Sequence, residues 1–453
     1  MRIEEVIERA KNLVKIPKEE VETSNKIIQE VIDKLEKTKE KLGIEAIIEL
    51  HGSFAHDTWL KEDKDIDIFI FSKEDKEKAI ENGLKIAKET FPNYIERYAE
   101  HPFITVIYKQ YEFDIVPAVY INEGEKIQTA VDRTRLHTNY LRKVLNDELK
   151  TEIRIFKKFV KTLDIYGAEI KIGGFSGYLC ELLVIHYGSF LNLIKNALNW
   201  IPYKTIIGGE WKLEPQELIV VDPVDKKRNV AAAFRKMGIF KLGCNLFLKK
   251  PSINFFLGRK YSENIPSSIK ALNDRGTKIF ILQFDYPNIA PDVFWGEIER
   301  ARRNLTNFLI FNEFNVVDSA CYSDEKQIAS ILLEITQENL PDSKLLIGPP
   351  LHELNHVKKF LSSHENDIIF TKNYRIFSYT NRKIKNLKEA ISIWLSNEKL
   401  PKDLVKVLKN STLTELKDDI NSGVKRAAVD LVFKNLWWLR DDLIKRYNLD
   451  VGN

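Results

Sequence analysis

The chain has 453 residues, 44 % hydrophobic and 30 % charged, with 70 basic against 66 acidic side chains and a net charge of +4. That length exceeds a single core and implies about three domains, and the composition is that of a folded chain, which excludes a disordered one. So balanced a charge does not by itself announce nucleic acid, and any basic surface has to be local.

Cys180, Cys244 and Cys321 are isolated and form no C-x-x-C spacing. They argue for a reducing compartment and against a disulfide framework or zinc cluster. No apolar run reaches the length of a membrane span and no signal-peptide core opens the chain, so a soluble, cytoplasmic protein is expected.

In chain order, residues 3–43 predict helix: Ile27, Ile28, Val31, Ile32, Leu35 and Leu42 recur at helical spacing, with Lys and Glu on the other face. A strand system follows from Ala46 to Asp67. Residues 74–90 predict a charged amphipathic helix with Ala79, Ile80, Leu84 and Ile86 inward. Residues 103–108 and 111–119 alternate as a hairpin that ends at Pro117. The pattern from 141 to about 200 is helical again, with Gly-Phe-Ser-Gly at 174–177 as loop and N-cap. Residues 201–256 read as an irregular, β-containing stretch. Beyond 257, strands are expected at 278–282 and 314–317 and a helix at 295–311. A β-rich piece at 367–380 has helices near 352–361 and 387–397, and a last helix over 426–446 carries Trp437 and Trp438. The expected class is α+β and multidomain: a mixed-sheet head over 1–140, a helical central domain over 141–257, and an α/β body and tail over 258–453.

The chemistry concentrates in His51 to Ser72, HGSFAHDTWLKEDKDIDIFIFS. On a strand, residues i and i+2 share a face roughly 6–7 Å apart, so Asp65 and Asp67 project together while Ile66, Ile68 and Ile70 go inward. Adjacent carboxylates repel unless a cation lies between them, and oxygen-only ligands of this kind suit Mg²⁺. Asp114, in the alternating Tyr111-Glu112-Phe113-Asp114-Ile115, would complete a two-metal clamp if its strand lies beside the first. Gly52 and Ser53 would then offer backbone N–H groups and a hydroxyl to a phosphate.

The pattern GS…TWL…DIDIF…EFDIVPA resembles the catalytic head of the nucleotidyltransferase superfamily. AVDRTRLHTNYL at 130–141, IYGAE and GFSGYLCELL within 165–183, and VVDPVDKKRNVAA at 220–232 narrow the likeness to the archaeal, class I CCA-adding enzymes, densest from about residue 45 to 260. The resemblance implies a polymerase-β-like head that adds C, C and A to the 3′ end of tRNA without a template. CTP and ATP would be the substrates, and two Mg²⁺ ions would sit on Asp65, Asp67 and Asp114. It carries nucleotide contacts onto Gly52, Ser53, His56, His137, Lys157 and Tyr166, and base reading onto Arg228. His56 and Asp57 stand where the family usually has Lys and Gly, which offers the triphosphate a weaker, pH-dependent cation beside an added carboxylate. The C-terminal domains would grip the acceptor stem and T arm of tRNA; a homodimer is one of the oligomeric states left open.

Two readings of the same head compete: a poly(A)-polymerase-like or oligonucleotide-synthesising enzyme, and a non-catalytic RNA-binding relative. Lys372 to Lys388, with Arg375, Arg382, Lys383 and Lys385 interleaved with Tyr374, Phe377 and Tyr379, reads equally as a phosphate-tracking surface or a solvated hairpin; Arg300, Arg302 and Arg303 would extend it. His352-Glu353-Leu354-Asn355-His356 matches the H-E-x-x-H zinc motif but is read as coincidence, because it follows Gly348-Pro349-Pro350 and has no obvious third ligand.

Overall fold

In the computed structural model of the protein, residues 2–98, 101–121, 131, 133–257, 265–396, 400–417 and 420–434 are described. The chain divides into two units, Met1–Arg259 and Lys260–Asn453.

The first unit opens with α1 (Ile3–Val14) and α2 (Lys18–Leu42). The one helix expected over 3–43 is therefore two: Pro17 has no N–H to give, and α2 starts from it. Gly43 ends α2 in the left-handed conformation at φ 63°. Then come β1 (Ile47–His51), the short α3 (Gly52–His56), β2 (Asp65–Ser72) and α4 (Lys76–Thr90), which Asp75 caps by accepting from the Lys78 N–H. β3 (Ile95–Tyr98), β4 (Pro102–Tyr108) and β5 (Tyr111–Val119) complete a mixed sheet ordered β1-β2-β5-β4-β3, in which only β2 and β5 run parallel. All of β3 is exposed, so no alternation announces it. β5 does not stop at Pro117; the proline is tolerated beyond the last β4–β5 pair, Ile104 with Ile115.

Ile66, Ile68 and Ile70 pack with Phe113 and Ile115 against Ile27, Ile28, Val31 and Leu35 of α2. Phe69, Phe71, Val116 and Ala118 form a second cluster on the opposite face. By the two-residue period, Asp65 and Asp67 share that second face.

α5 (Arg133–Val144), α6 (Asp147–Thr162), α7 (Gly177–Tyr187) and α8 (Phe190–Ala197) follow, with Ser176 capping α7 by accepting from Leu179 N–H at 3.1 Å. Among the described residues no single helix is long and apolar enough to cross a membrane; α7 and α8 together are apolar but bent by 93°. Most of their apolar side chains, Leu179, Leu183, Val184, Phe190 and Leu193 among them, are buried in this unit.

The irregular β reading of 201–256 needs correction. β6 (Ile206–Ile207) and β7 (Ile219–Val220) form only a two-residue parallel ladder, and α9 (Met237–Lys249) and α10 (Asn254–Leu257) follow as helices. Met237, Phe240, Cys244 and Phe247 bury at helical spacing. Gly238 and Gly243 obscure that signal, and a Cβ on Gly243 would meet Leu163 Cδ1 at 2.8 Å.

The second unit runs α11 (Ile265–Arg275), β8 (Lys278–Asp285), α12 (Pro291–Phe311), β9 (Val316–Ser323), β10 (Ile328–Ile335), β11 (Ser343–Pro350), α13 (Leu354–Ser363), β12 (Ile368–Lys372), β13 (Arg375–Asn381), α14 (Leu387–Leu395), α15 (Val405–Lys409), β14 (Thr412–Glu415) and α16 (Ser422–Phe433). Its sheets, β14-β8-β10-β9 and β11-β13-β12, are antiparallel throughout. Phe294, Ile298, Leu305 and Leu309 of α12 pack on Ile331 and Leu333 of β10 and on Ile391 and Trp394 of α14. The expected strand at 314–317 begins only at Val316, and the expected last helix at 426–446 begins at Ser422; Trp437 and Trp438 lie outside the described residues. α13 starts at Leu354, so His352 precedes the helix that the zinc motif requires, and His356 Nδ1 meets Glu353 at 2.8 Å instead.

Candidate active site

β2 and β5 are parallel neighbours whose register sets Asp67 opposite Asp114 and Asp65 opposite Glu112. Burial first, then the charges of Asp114 and Asp65, push the Asp67 carboxyl up to about 7. Burial also raises Asp65, with Glu112 and Asp63 adding to it. Asp114 is raised by burial as well, held back by the Thr105 hydroxyl, which donates to Asp114 Oδ1 at 2.6 Å. Gly52 closes over this floor at φ +66°; a Cβ there would stand 2.0 Å from Asp67 Oδ2. Only glycine leaves the carboxylate its place.

Among the described residues no three His, Cys, Asp or Glu side chains stand as a ready-made metal cage. The donor set still fits a hard divalent cation. It is all oxygen, and burial together with the neighbouring charges of Asp114 and Asp65 disfavours the Asp67 carboxylate, a cost that a bound cation would relieve.

Gly52, Ser53, His56, Asp65, Asp67, His137, Lys157 and Tyr166 all line one cavity of about 550 Å³. Asp114 stands one strand behind it, and Arg228 lines a separate cavity of about 850 Å³ together with Arg133 and Ser176. Lys157, carried over as a nucleotide contact, is 1 % exposed. Its Nζ donates to Thr58 O at 3.1 Å and Thr58 Oγ1 at 3.0 Å and lies 3.5 Å from Glu181 Oε1. Asp57 turns to Arg154 and to Lys150, 3.6 Å away. Burial raises the Tyr166 hydroxyl well above its ordinary value, so it stays a neutral donor.

Asp222, which sequence reasoning passes over, joins the two cavities' residues. Its Oδ2 accepts from His137 Nε2 at 2.9 Å and from Arg228 Nη1 at 2.8 Å. Its Oδ1 accepts from Tyr178 OH at 3.3 Å and from the Val224 N–H at 3.0 Å. Burial alone would raise this carboxyl, but His137 and Arg228 outweigh it and hold it at about 2. Tyr178 stacks on His137 with ring centroids 4.0 Å apart. Glu181 is the other omission. It is the one acid in the apolar run GYLCELLVI, and a lone acid inside a buried helix has to find partners. Burial opposes its charge, yet Lys157, His56 and Thr58 bring it down to about 2.

A mixed sheet that carries paired carboxylates on adjacent strands under a Gly-Ser turn defines a nucleotidyltransferase, and the nucleotidyltransferase domain family matches residues 25–137. The family "tRNA nucleotidyltransferase, second domain" matches residues 151–257, and "CCA-adding enzyme, C-terminal domain" matches 275–414. The CCA-adding enzyme of Pyrobaculum islandicum is 37 % identical over 404 residues, 87 % of this chain and 94 % of that one. That of Archaeoglobus fulgidus is 36 % identical over 87 % of this chain and 90 % of its own. That of Methanocaldococcus jannaschii is 35 % identical over 89 % and 94 %. The chain belongs to the CCA-adding enzyme family and is a tRNA nucleotidyltransferase.

Proposed function

We propose that the chain extends tRNA lacking its terminal CCA by adding C, C and A in turn from CTP and ATP, with no nucleic-acid template. The terminal 3′ oxygen of the RNA attacks the α-phosphorus; the new P–O bond forms as the bond to the β-phosphate bridging oxygen breaks. Pyrophosphate leaves, and the hydroxyl's proton passes to solvent. Asp65, Asp67 and Asp114 would hold two Mg²⁺ ions, whose chemistry is to neutralise charge on the attacking and departing oxygens. The observation that carries this reading is the parallel register that sets Asp67, lining the cavity with Gly52 and Ser53, directly beside Asp114.

The protein's own part is positioning and fixed charge. Ser53 and the Gly52 backbone would take the triphosphate, with Lys157 and His56 behind it and the Tyr166 hydroxyl at the wall. Asp222, buried and ionised, would hold His137 towards the sugar and Arg228 towards the base edge, where its guanidinium fork can satisfy acceptors. The division into a head over 1–140, a central domain over 141–257 and a body and tail over 258–453 accords with these roles.

The second unit would grip the acceptor stem and T arm through backbone and shape, since an A-form helix hides its base edges in a deep groove. Exposed Lys372 and Tyr374, the latter 88 % exposed, at the β12–β13 turn, and exposed Lys383 and Lys388 past the other end of β13, support a phosphate-tracking surface. Arg382, Lys385 and Arg302 contribute less, being paired with Glu313, Asp342 and Glu299. The test offers a tRNA shortened before CCA, and a plain oligonucleotide, each of the four triphosphates singly. CTP alone should add two residues to the tRNA, and ATP one more after them. Long A tails, or no use of CTP, would overturn the reading.

A further inference from the structure

α6 presents a row of cations to the loop that runs from α3 into β2. Lys150 and Arg154 meet Asp57, Lys158 donates to Glu62 Oε1 at 2.5 Å, and Lys161 donates to Asp63. Lys157 joins the row through Thr58. Spacings of three and four residues set all five on one side of the helix.

Most of this row is a clasp that fixes the loop ahead of Asp65. Lys150, Arg154 and Lys158 do not line the cavity that holds Asp65 and Asp67, whereas Lys161 and Asp63 both do. The Lys161 side chain is 26 % exposed, against 1 % for Lys157. A lysine carries three donor hydrogens on a flexible stem. Lys157 gives two of them to Thr58 and is covered. Among the described residues Asp63 is the one hydrogen-bond acceptor of Lys161, which leaves two hydrogens for a ligand.

Two neighbours tie Lys161 to the site. Its Nζ lies over the Tyr166 ring, 5.2 Å from the centroid. Burial, then Glu112 and Asp63, raise the Asp65 carboxyl, and Lys161 is foremost among the charges that oppose them. A triphosphate seated in this cavity therefore meets Lys161 before it meets the covered Lys157.

We propose that Lys161 is the lysine that touches the incoming nucleotide, donating to the terminal phosphates of CTP and ATP and holding the pyrophosphate until it leaves. Asp63 keeps the side chain at the cavity wall while no nucleotide is bound, and Lys157 holds Thr58 from behind. This deepens, and rests on, the reading of the cavity as a nucleotide site. Phosphate oxygens and Asp63 compete for the same donor, and that competition separates a phosphate contact from one more rung of the clasp. If Lys161 only fastened the loop, loss of either partner would harm the site alike. If it binds phosphate, loss of the lysine weakens binding and loss of the aspartate strengthens it.

Isothermal titration of the full chain with CTP and with inorganic tripolyphosphate, each in Mg²⁺, reads this without any RNA. Lys161→Ala should weaken both ligands about tenfold, as loss of a charge-assisted hydrogen bond does, and Lys161→Arg should restore them. Asp63→Asn keeps the shape of the side chain and removes the competing charge. It should tighten tripolyphosphate severalfold, and should lose that gain when combined with Lys161→Ala. Lys158→Ala, which breaks the neighbouring ion pair away from the cavity, should change neither ligand. Unchanged tripolyphosphate binding in Lys161→Ala, weaker binding in Asp63→Asn, or an equal loss in Lys158→Ala would each overturn the proposal. A wild type that binds CTP yet adds nothing to RNA would overturn the functional reading instead, and the tripolyphosphate titrations would still decide this one.

Discussion

Replacing Asp67 by Asn should make the metal-free protein more stable at alkaline pH while removing its activity. The Asp67 carboxyl lies at about 7 in the fold against 3.8 as its ordinary value. A folded value above the unfolded one means that the native state binds this proton more tightly. The stability it contributes is therefore complete below 3.8 and is lost as pH rises through about 7. A shift of roughly three units corresponds to about 4 kcal/mol. Solvent reaches the cavity side of the carboxylate, so about half, ~2 kcal/mol, is expected to survive screening. Asn has the same shape and no proton to lose. Urea unfolding of both proteins from pH 5 to pH 8.5 in EDTA should show the wild type losing ground to Asp67→Asn by roughly 1–2 kcal/mol across that range. Mg²⁺ should recover the loss in the wild type alone. Parallel pH curves, or a wild type that gains on the variant as pH rises, would refute the claim that burial and the neighbouring acids hold the Asp67 proton on.

Three further outcomes follow from the geometry. Gly52→Ala puts a Cβ 2.0 Å from Asp67 Oδ2 at a positive φ, and should lower stability by more than about 1 kcal/mol and kcat on the order of 100-fold, seen by thermal melting and single-turnover extension. Asp222→Asn removes the charge that His137 and Arg228 share, so KM for CTP and ATP should rise about tenfold and misincorporation of UTP and GTP increase; unchanged fidelity would separate Asp222 from base choice. His352→Ala combined with His356→Ala should leave activity and stability within about 0.5 kcal/mol of wild type, with no zinc found by atomic absorption in either protein.

What the sequence shows and what it hides divide along a physical line. The alternation of DIDIFIF is local, so the shared face of Asp65 and Asp67 and the inward isoleucines were legible without any structure. Pro17 is local too, and a residue without an N–H inside a helical pattern marks the break between α1 and α2. β3 and β6 give no periodicity, one being wholly exposed and the other two residues long. The partners of the site residues come from distant chain: His137 and Asp222 are separated by 85 positions and His56 and Glu181 by 125. Nothing at such spacing shows as a pattern. A signal did exist at Glu181, because a single acid in an apolar helix predicts a buried counter-charge. Lys157 answers it, and nothing local marks which of the lysines of its helix turns inward to meet that acid.

The most direct test of the account is to count divalent ions at the three carboxylates, using Mn²⁺ as a paramagnetic stand-in for Mg²⁺ and electron spin resonance to follow its uptake with CTP present. The wild type should take up two ions per chain beyond what CTP binds alone, and the double variant Asp67→Asn with Asp114→Asn should take up neither. Full uptake by that double variant would contradict the placement of the metals on β2 and β5.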